Sequence, residues 1–298
     1  MLIAPLPRVI FAALFLTTIL NAQCIKDKRE DKKGGIKVTD FTITGTTTLT
    51  SDELLRMTGD FIGNCYADDN EELGERVRAE FQDQGYMMAE LKKLDFMPGD
   101  PLAIPKPVAM EAEIAEGPRF KVAQINFLKN HAFSEERLRQ EFPMKKGDYF
   151  RRSVVAGSFD SIRKLYSTVG YLDMIMTPDT RPGSNATMDL NLTLEEGPQY
   201  QMGKLDVVAG KESAARLQIA WKLAEGSAYD KTYIDDFIAT NRTLLPAGFS
   251  RQNVDVGIDC PDALVAVRLM VDPAEDSSHE KPKSIPCPED KEKKEDSK

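Results

Sequence analysis

A pattern of about 80 residues recurs along this 298-residue chain, and it limits the possible folds more than any other feature. The tripeptide Glu-Gly-Pro at 116–118 returns 80 residues later at 196–198. A strand-like alternation of apolar and polar residues precedes each copy, and a third such stretch, 265–271, leads into Asp272-Pro273. Self-similarity at a fixed period is typical of chains built from copies of one small structural unit. We therefore expect three small units in tandem.

Each repeat opens with another alternating stretch, represented by Phe41 and Ile43 in the first copy. A short helix is predicted to follow. Thr50 stands three residues before Glu53, the spacing of a capping box, in which the two side chains satisfy backbone amides at a helix start. Ser134 marks the equivalent start in the second repeat.

A second helix in each repeat is predicted to end at a glycine followed by an aromatic residue, at 85–86, 170–171 and 248–249. Glycine suits a helix end because it accepts a positive φ. The segment after each aromatic residue is predicted to form the first arm of a hairpin.

The order strand, helix, helix, strand, strand predicts an α+β fold of three βααββ domains, each with two helices on a three-stranded sheet. We place the domains at 36–117, 118–198 and 199–273. Residues 274–298 contain almost no core-forming side chains and are predicted to be a disordered polar tail.

The N-terminal residues indicate export. Arg8, the apolar run after it and Ala22 are typical of a cleaved secretory signal at 1–22, followed by a charged leader at 23–35. Two alternatives stay open, a lipid attached at Cys24 and an uncleaved membrane anchor. The run is short for an anchor, so a periplasmic location is expected.

Four cysteines, at positions 24, 65, 260 and 287, allow three disulfide pairings in an exported protein. None of the spacings is that of a metal site. We expect free or incidental thiols and leave the pairing open.

Composition excludes several functions. A formal net charge of −9 argues against nucleic acid as a partner, because phosphate binding depends on lysine and arginine. His131 is predicted in a surface loop and His279 in the tail, so no catalytic triad is indicated. Adjacent carboxylates such as Glu71-Glu72 and Glu195-Glu196 are predicted to be solvated. We expect no enzyme, no cofactor and no metal site, and we expect Trp221 in a core or a domain interface.

Over residues 36–273 the sequence resembles a tandem array of POTRA domains, the modules that precede the barrel of BamA-type outer-membrane assembly proteins. The resemblance rests on the order of elements, the glycine–aromatic step and the Glu-Gly-Pro ending of two copies. The second repeat, with Gly147-Asp148-Tyr149 before its second helix, is the best match. After Asp272 no alternating strands of a barrel are expected.

The resemblance implies that the strand after each second helix lies at a sheet edge, at about 87–94, 172–177 and 250–256. An edge strand can pair with an extended peptide of another protein. The second repeat is the best candidate, because adaptable methionines tolerate varied partners; the alternation of the methionines at 174 and 176 also fits a buried sheet face, and for these two side chains core packing is favoured over contact with a client. The candidate residues are Met87, Met88, Leu91, Leu172, Asp173, Met174, Ile175 and Met176.

The expected function is a non-enzymatic periplasmic scaffold for assembling outer-membrane β-barrel proteins. Its partners would be barrel precursors or components of the assembly machinery, and it could associate peripherally with the outer membrane. The alternative is a membrane-anchored scaffold of cell division or of the envelope, since a single POTRA module also occurs on such proteins.

Overall fold

The computed structural model describes residues 35–66, 70–278 and 281–287. The predicted signal peptide and nearly all of the charged leader lie outside these residues. Within the described ranges, no helix combines the length and hydropathy needed to cross a membrane.

The first repeat follows the predicted order with one short strand added. Thr50 caps the first helix, with the capping box formed as predicted: its side chain accepts from the Glu53 N–H, and Glu53 reaches back to the Thr50 N–H. The elements are β1 (Ile36–Thr44), α1 (Ser51–Gly59), β2 (Cys65–Tyr66), α2 (Asn70–Asp83), β3 (Glu90–Pro98) and β4 (Lys106–Ala115).

The second and third repeats repeat this order without the extra strand. The second contains β5 (Lys121–Leu128), α3 (Glu135–Gln140), α4 (Arg152–Ser167), β6 (Ile175–Gly183) and β7 (Thr187–Glu195). The third contains β8 (Gln201–Val208), α5 (Lys211–Ala220), α6 (Tyr233–Thr240), β9 (Val254–Asp259) and β10 (Leu264–Met270). The predicted α+β fold class, with three sheets each accompanied by helices, is confirmed.

In all three sheets the last strand of the repeat lies in the middle. The orders are β2-β1-β4-β3, β5-β7-β6 and β8-β10-β9. The opening strand runs parallel to the last one in the first and third repeats, and the strand after the second helix pairs antiparallel with it. This arrangement leaves β3, β6 and β9 outermost at one end of their sheets and β2, β5 and β8 outermost at the other.

The sheet of the first repeat has four strands among the described residues, where three were predicted. Cys65–Tyr66 pairs with the start of β1. The same loop position forms only single bridges in the other repeats, between Lys121 and Tyr149 and between Gln201 and Ala228. Every repeat therefore has an antiparallel backbone pairing with its opening strand at this position. Only in the first repeat is the pairing long enough to form a strand.

Contacts divide the chain into two compact units. One comprises the described residues up to Ala123 with 146–153 and 182–188, and the other comprises 124–145, 154–181 and the described residues from 189 onward. Strands of the middle repeat contribute residues to both. The boundaries predicted at 117/118 and 197/198 stay predictions.

Each unit has a core of the predicted apolar stripes. In the first unit, Val77 and Phe81 of α2 are buried, together with the alternating residues of β4. In the second unit, Ile162 and Tyr166 of α4 are fully buried. Trp221 lies just after α5 in the core of the third repeat, which confirms its predicted burial, and its ring packs edge-on against Tyr233.

The glutamate of each Glu-Gly-Pro holds the loop that follows the opening strand. Oε1 of Glu196 accepts hydrogen bonds from the backbone N–H groups of His131 and Ala132 at 2.7 and 2.9 Å and from the Tyr166 hydroxyl at 2.8 Å. Glu116 does the same in the first repeat, through Thr47 and Thr48. The prediction that Glu195-Glu196 is a solvated pair is therefore wrong for Glu196.

Burial opposes the ionisation of Glu196, but the two backbone donors and the Tyr166 hydroxyl outweigh it and lower the pKa of the carboxyl below its ordinary value. Burial and the same hydrogen bond raise the pKa of Tyr166. The carboxylate is thus a charged anchor for the loop that follows β5.

The glycine–aromatic step connects a helix end to the start of the next repeat. The N–H of Tyr200 donates to the carbonyl of Gly170 at 2.8 Å, and Phe120 does the same to Gly85. Gly170 has a φ of +91°, and a Cβ added to it would lie 2.4 Å from the Tyr200 carbonyl oxygen. Only glycine fits there, for both conformational and steric reasons.

We expect Gly170→Ala to destabilise the protein by more than Gly147→Ala. Both glycines have a positive φ, which costs an L-residue about 1–2 kcal/mol, but nothing lies within 4 Å of the Cβ position at Gly147. Urea denaturation followed by far-UV circular dichroism gives the two free energies of unfolding. Equal losses would show that the contact with Tyr200 is unimportant.

We expect Glu196→Gln to lower the free energy of unfolding by about 1–3 kcal/mol at pH 7, since charge-assisted hydrogen bonds are replaced by neutral ones. Because the folded-state pKa lies below the unfolded-state value, this stabilisation is complete above about pH 4.3–5 and is lost as the pH falls through the folded-state pKa. Denaturation at pH 7 and pH 3 measures the difference, with Glu195→Gln, an exposed neighbour, as the control. A loss independent of pH would contradict the assignment.

Candidate strand-binding edges

The strand after the second helix is an outermost strand in each sheet, as the resemblance implied. β3, β6 and β9 each have a partner on one side only in the strand order. An outermost strand turns half of its backbone donors and acceptors away from its own sheet. We call these three strands the edge strands.

The edge strands begin three or four residues later than predicted, at Glu90, Ile175 and Val254. In the first two repeats the reason is a turn after the aromatic residue, illustrated by the N–H of Ala89 donating to the carbonyl of Tyr86 at 3.0 Å, and in the third it is a 3₁₀ helix, Arg251–Asn253. Of the predicted site residues, three lie in the strands and five precede them. Leu91, Ile175 and Met176 lie in the edge strands; Met87, Met88, Leu172 and Asp173 lie in the preceding turns, and Met174 directly precedes β6.

The side chains of these residues divide into two groups. Met174 and Met176 are buried, with 4% and 9% of their surfaces exposed, so core packing holds both of them. Ile175 and Met88 are exposed, with 58% and 49% of their surfaces accessible. Whatever binds at β6 therefore meets the strand backbone and the Ile175 side chain rather than the two methionines.

The first edge strand, β3, carries features that discourage pairing. Its register shifts between Leu91 and Lys93. Lys92 pairs with Glu90, and Lys93 pairs with Asp95 at 2.6 Å, so charged side chains run along its exposed positions. Bulges and lysines are the usual means by which edge strands avoid unwanted partners.

The second edge strand, β6, is interrupted by Pro178 and Pro182. Proline cannot donate to a ladder, so these positions direct their nitrogen away from β7. Because N–H groups alternate sides along a strand, the N–H groups of Met176 and Thr180 point the same way, outward. β6 thus offers two outward donors, and its side chains are exposed along nearly its whole length.

The third edge strand, β9, has no proline and no lysine, and its pairing with β10 runs without a register shift. Residues 281–287 lie along it. The N–H of Ile285 donates to the Ile258 carbonyl at 2.8 Å, and the N–H of Cys260 donates to the Ile285 carbonyl at 3.0 Å. The prediction of a disordered tail therefore does not hold for 281–287.

A disulfide between Cys260 and Cys287 joins this segment to the end of β9, and Cys65 is also disulfide-bonded. The expectation of free or incidental thiols is wrong for these three cysteines. Cysteine spacing along a chain carries no information on distance in the fold, which is why the sequence left the pairing open.

Asp173 lies near this disulfide and accepts a hydrogen bond from the Tyr200 hydroxyl at 2.6 Å. Burial, and then this bond to a carboxylate, raise the pKa of Tyr200. The ligand atoms of Asp173, Cys260 and Cys287 lie within 4.8 Å of one another, but both sulfurs belong to the disulfide, so the group is unsuited to a metal ion.

His131 lies in the exposed loop between β5 and α3, as predicted, and its backbone N–H donates to Glu196. His279 lies outside the described residues. The role of the Glu-Gly-Pro glutamates was missed by sequence reasoning, although the recurrence of the tripeptide was the available signal.

The comparisons with known proteins agree with this geometry. Residues 120–197 match the POTRA family model, described as a surface antigen variable number repeat. A crystal structure of POTRA domains 3–5 of Haemophilus influenzae BamA is similar, with 17% identity and a TM-score of 0.53 over 80% of this chain and 98% of that one. This likeness shows a shared fold.

Two more distant structures also match. POTRA domains 1–3 from the periplasmic domain of Anabaena Omp85 are 13% identical over 80% of this chain and 95% of that one, with a TM-score of 0.32. Haemophilus ducreyi BamA lacking POTRA domains 1–3 is 20% identical over 54% of this chain and 29% of that one, with a TM-score of 0.38. The family match at 120–197 and the fold shared with the Haemophilus influenzae structure confirm the predicted resemblance to tandem POTRA domains.

Proposed function

We propose that this chain is a non-enzymatic scaffold for the assembly of outer-membrane β-barrel proteins, which it serves by holding extended client strands at the edges of its POTRA sheets. The observation that carries the proposal is the position of β3, β6 and β9, each of them outermost in its sheet. The similarity to BamA POTRA domains supports the same role.

Strand addition suits clients that share secondary structure but not sequence. Main-chain hydrogen bonds supply the affinity, and they form with any extended peptide. Precursors of barrel proteins are rich in extended segments, because a barrel is built of β-strands. A protein that binds the backbone of extended segments can therefore bind many clients.

We place the principal binding edge at β6. It is the most exposed edge strand, and its outward donors at Met176 and Thr180 stand four residues apart. Ile175, 58% exposed, adds an apolar contact. Pro178 and Pro182 limit the length of the ladder, so binding would be short and reversible, as delivery of a client requires.

The remaining expectations are part of the proposal. The three modules span 36–117, 118–198 and 199–273, and the family match at 120–197 falls within the second. We place the protein in the periplasm, exported by residues 1–22, with barrel precursors or assembly components as partners and the outer membrane as a site of peripheral association.

We expect Thr180→Pro to weaken binding of a fluorescent peptide that copies the last strand of an outer-membrane barrel protein. The variant removes one outward donor, a loss of about 0.5–1.5 kcal/mol or roughly 2- to 12-fold in Kd. Thr180 is exposed, so no core contact is lost. Fluorescence anisotropy measures the affinity.

Thr180→Ala is the matched control, because it removes the same side chain and keeps the N–H group. Circular dichroism should show both variants folded. If Thr180→Pro binds the peptide as tightly as Thr180→Ala, the outward side of β6 is not the binding edge.

A further inference from the structure

The segment 281–287, which we call the tail strand, lies parallel to β9 and is bridged to it at Asp259 and Ile285. Two backbone hydrogen bonds hold it, and the Ile258 N–H adds a third by donating to Ser284 Oγ at 3.2 Å. Ile258 and Cys260 are alternate residues, so both donors point to the outward side of β9. The tail strand therefore uses the groups that an added strand from another protein would use.

The tail strand covers the edge strand that has the least protection of its own. β3 carries a bulge and lysines, and β6 carries two prolines, whereas β9 has none of these and pairs regularly with β10. Covering an edge with another segment is a further means of protecting it. By these criteria β9 is the strongest strand acceptor of the three.

Gly257 provides the space that the tail strand occupies. A Cβ added there would lie 2.8 Å from the Lys283 carbonyl oxygen and 2.8 Å from Pro282 Cβ. Neither atom is the far end of a flexible side chain, so any larger residue would push the tail strand away. A glycine in a strand often marks such a close approach of another backbone.

The disulfide attaches the tail strand covalently next to the end of β9, which three hydrogen bonds alone do not do. Cys260 lies one residue beyond β9 and Cys287 lies at the end of the tail strand, so the bridge raises the effective concentration of one next to the other. A dithiol reductant would open it by exchange: one of its thiolates attacks a bridge sulfur and releases the other cysteine as a thiolate, and its second thiolate then attacks the mixed disulfide and releases the remaining cysteine. Cys260 and Cys287 then end as thiols and the dithiol as a disulfide.

We propose that the tail strand is a built-in occupant of a second strand-acceptor edge, and that opening the Cys260–Cys287 disulfide exposes β9 to a strand from another chain. That the other chain is a barrel precursor rests on the proposed function. That the tail strand occupies the edge of β9 does not. The third repeat is thus closed when oxidised and available when reduced.

Hydrogen exchange on the full-length chain tests the occupancy. In the oxidised protein the amides of Ile258 and Ile285 should be protected, and in the double variant Cys260→Ser with Cys287→Ser both should exchange at least about tenfold faster. The amides of Gly257 and Asp259, which by alternation face β10, should stay protected and show that the domain is folded. Equal exchange at Ile258 and Ile285 in both proteins would overturn the proposal.

A peptide in trans tests the acceptor. A labelled peptide of residues 281–287 with Cys287→Ser should bind the double variant and not the oxidised protein, and adding Gly257→Val should abolish the binding. Failure to bind the double variant would overturn the proposal. A further outcome is that the 281–287 peptide binds at β9 while the barrel-strand peptide does not. That result would support the inference that the tail strand occupies a strand-acceptor edge, and it would contradict the proposal that barrel precursors are the clients.

Discussion

The outermost strand of a small sheet leaves half of its backbone hydrogen-bonding groups without a partner in the sheet. Three repeats of the same βααββ unit give this chain three such strands after the second helix, because the last strand of each repeat takes the middle of its sheet. The side chains of each edge strand, and any segment that covers it, decide whether another strand can pair with it. β3 is charged and has a register shift, β6 contains two prolines, and β9 is covered by residues 281–287.

The first two repeats have a few polar contacts placed alike in both copies. The glutamates at 116 and 196 anchor the loops after the opening strands, and the carbonyls of Gly85 and Gly170 receive the N–H groups of Phe120 and Tyr200. These contacts connect positions far apart in sequence. They give a physical reason for the recurrence of Glu-Gly-Pro and of the first two glycine–aromatic pairs, because each tripeptide or pair supplies one partner of a hydrogen bond that is present in both repeats.

Sequence alone predicted the parts of the fold that depend on local patterns. The capping box at Thr50, the helical stripe of Val77 and Phe81, and the order of elements follow from spacing along the chain. The resemblance then placed the edge strands correctly in their sheets. Their starts were misplaced because the chain turns after the aromatic residue in the first two repeats and forms a 3₁₀ helix, Arg251–Asn253, before the third edge strand.

The remaining features depend on distant contacts that no local pattern encodes. The pairing of Cys260 with Cys287 needs the path of the chain between them, and the polar composition of the tail concealed that its backbone adds to β9. Glu196 was misread for the same reason, because its donors at 131 and 132 are far away in sequence. Composition indicates whether a segment can form a core, not whether it can complete an existing sheet.

Site-specific photo-crosslinking in cells tests the central claim most directly. A photoreactive residue would replace Thr180 on β6 or, as a control, Asp160 on α4, whose side chain is 79% exposed. If the edge strands hold client strands, Thr180 should form adducts with precursors of outer-membrane barrel proteins and Asp160 should not. Barrel-precursor adducts from Asp160 in the absence of any from Thr180 would contradict strand addition at the edge.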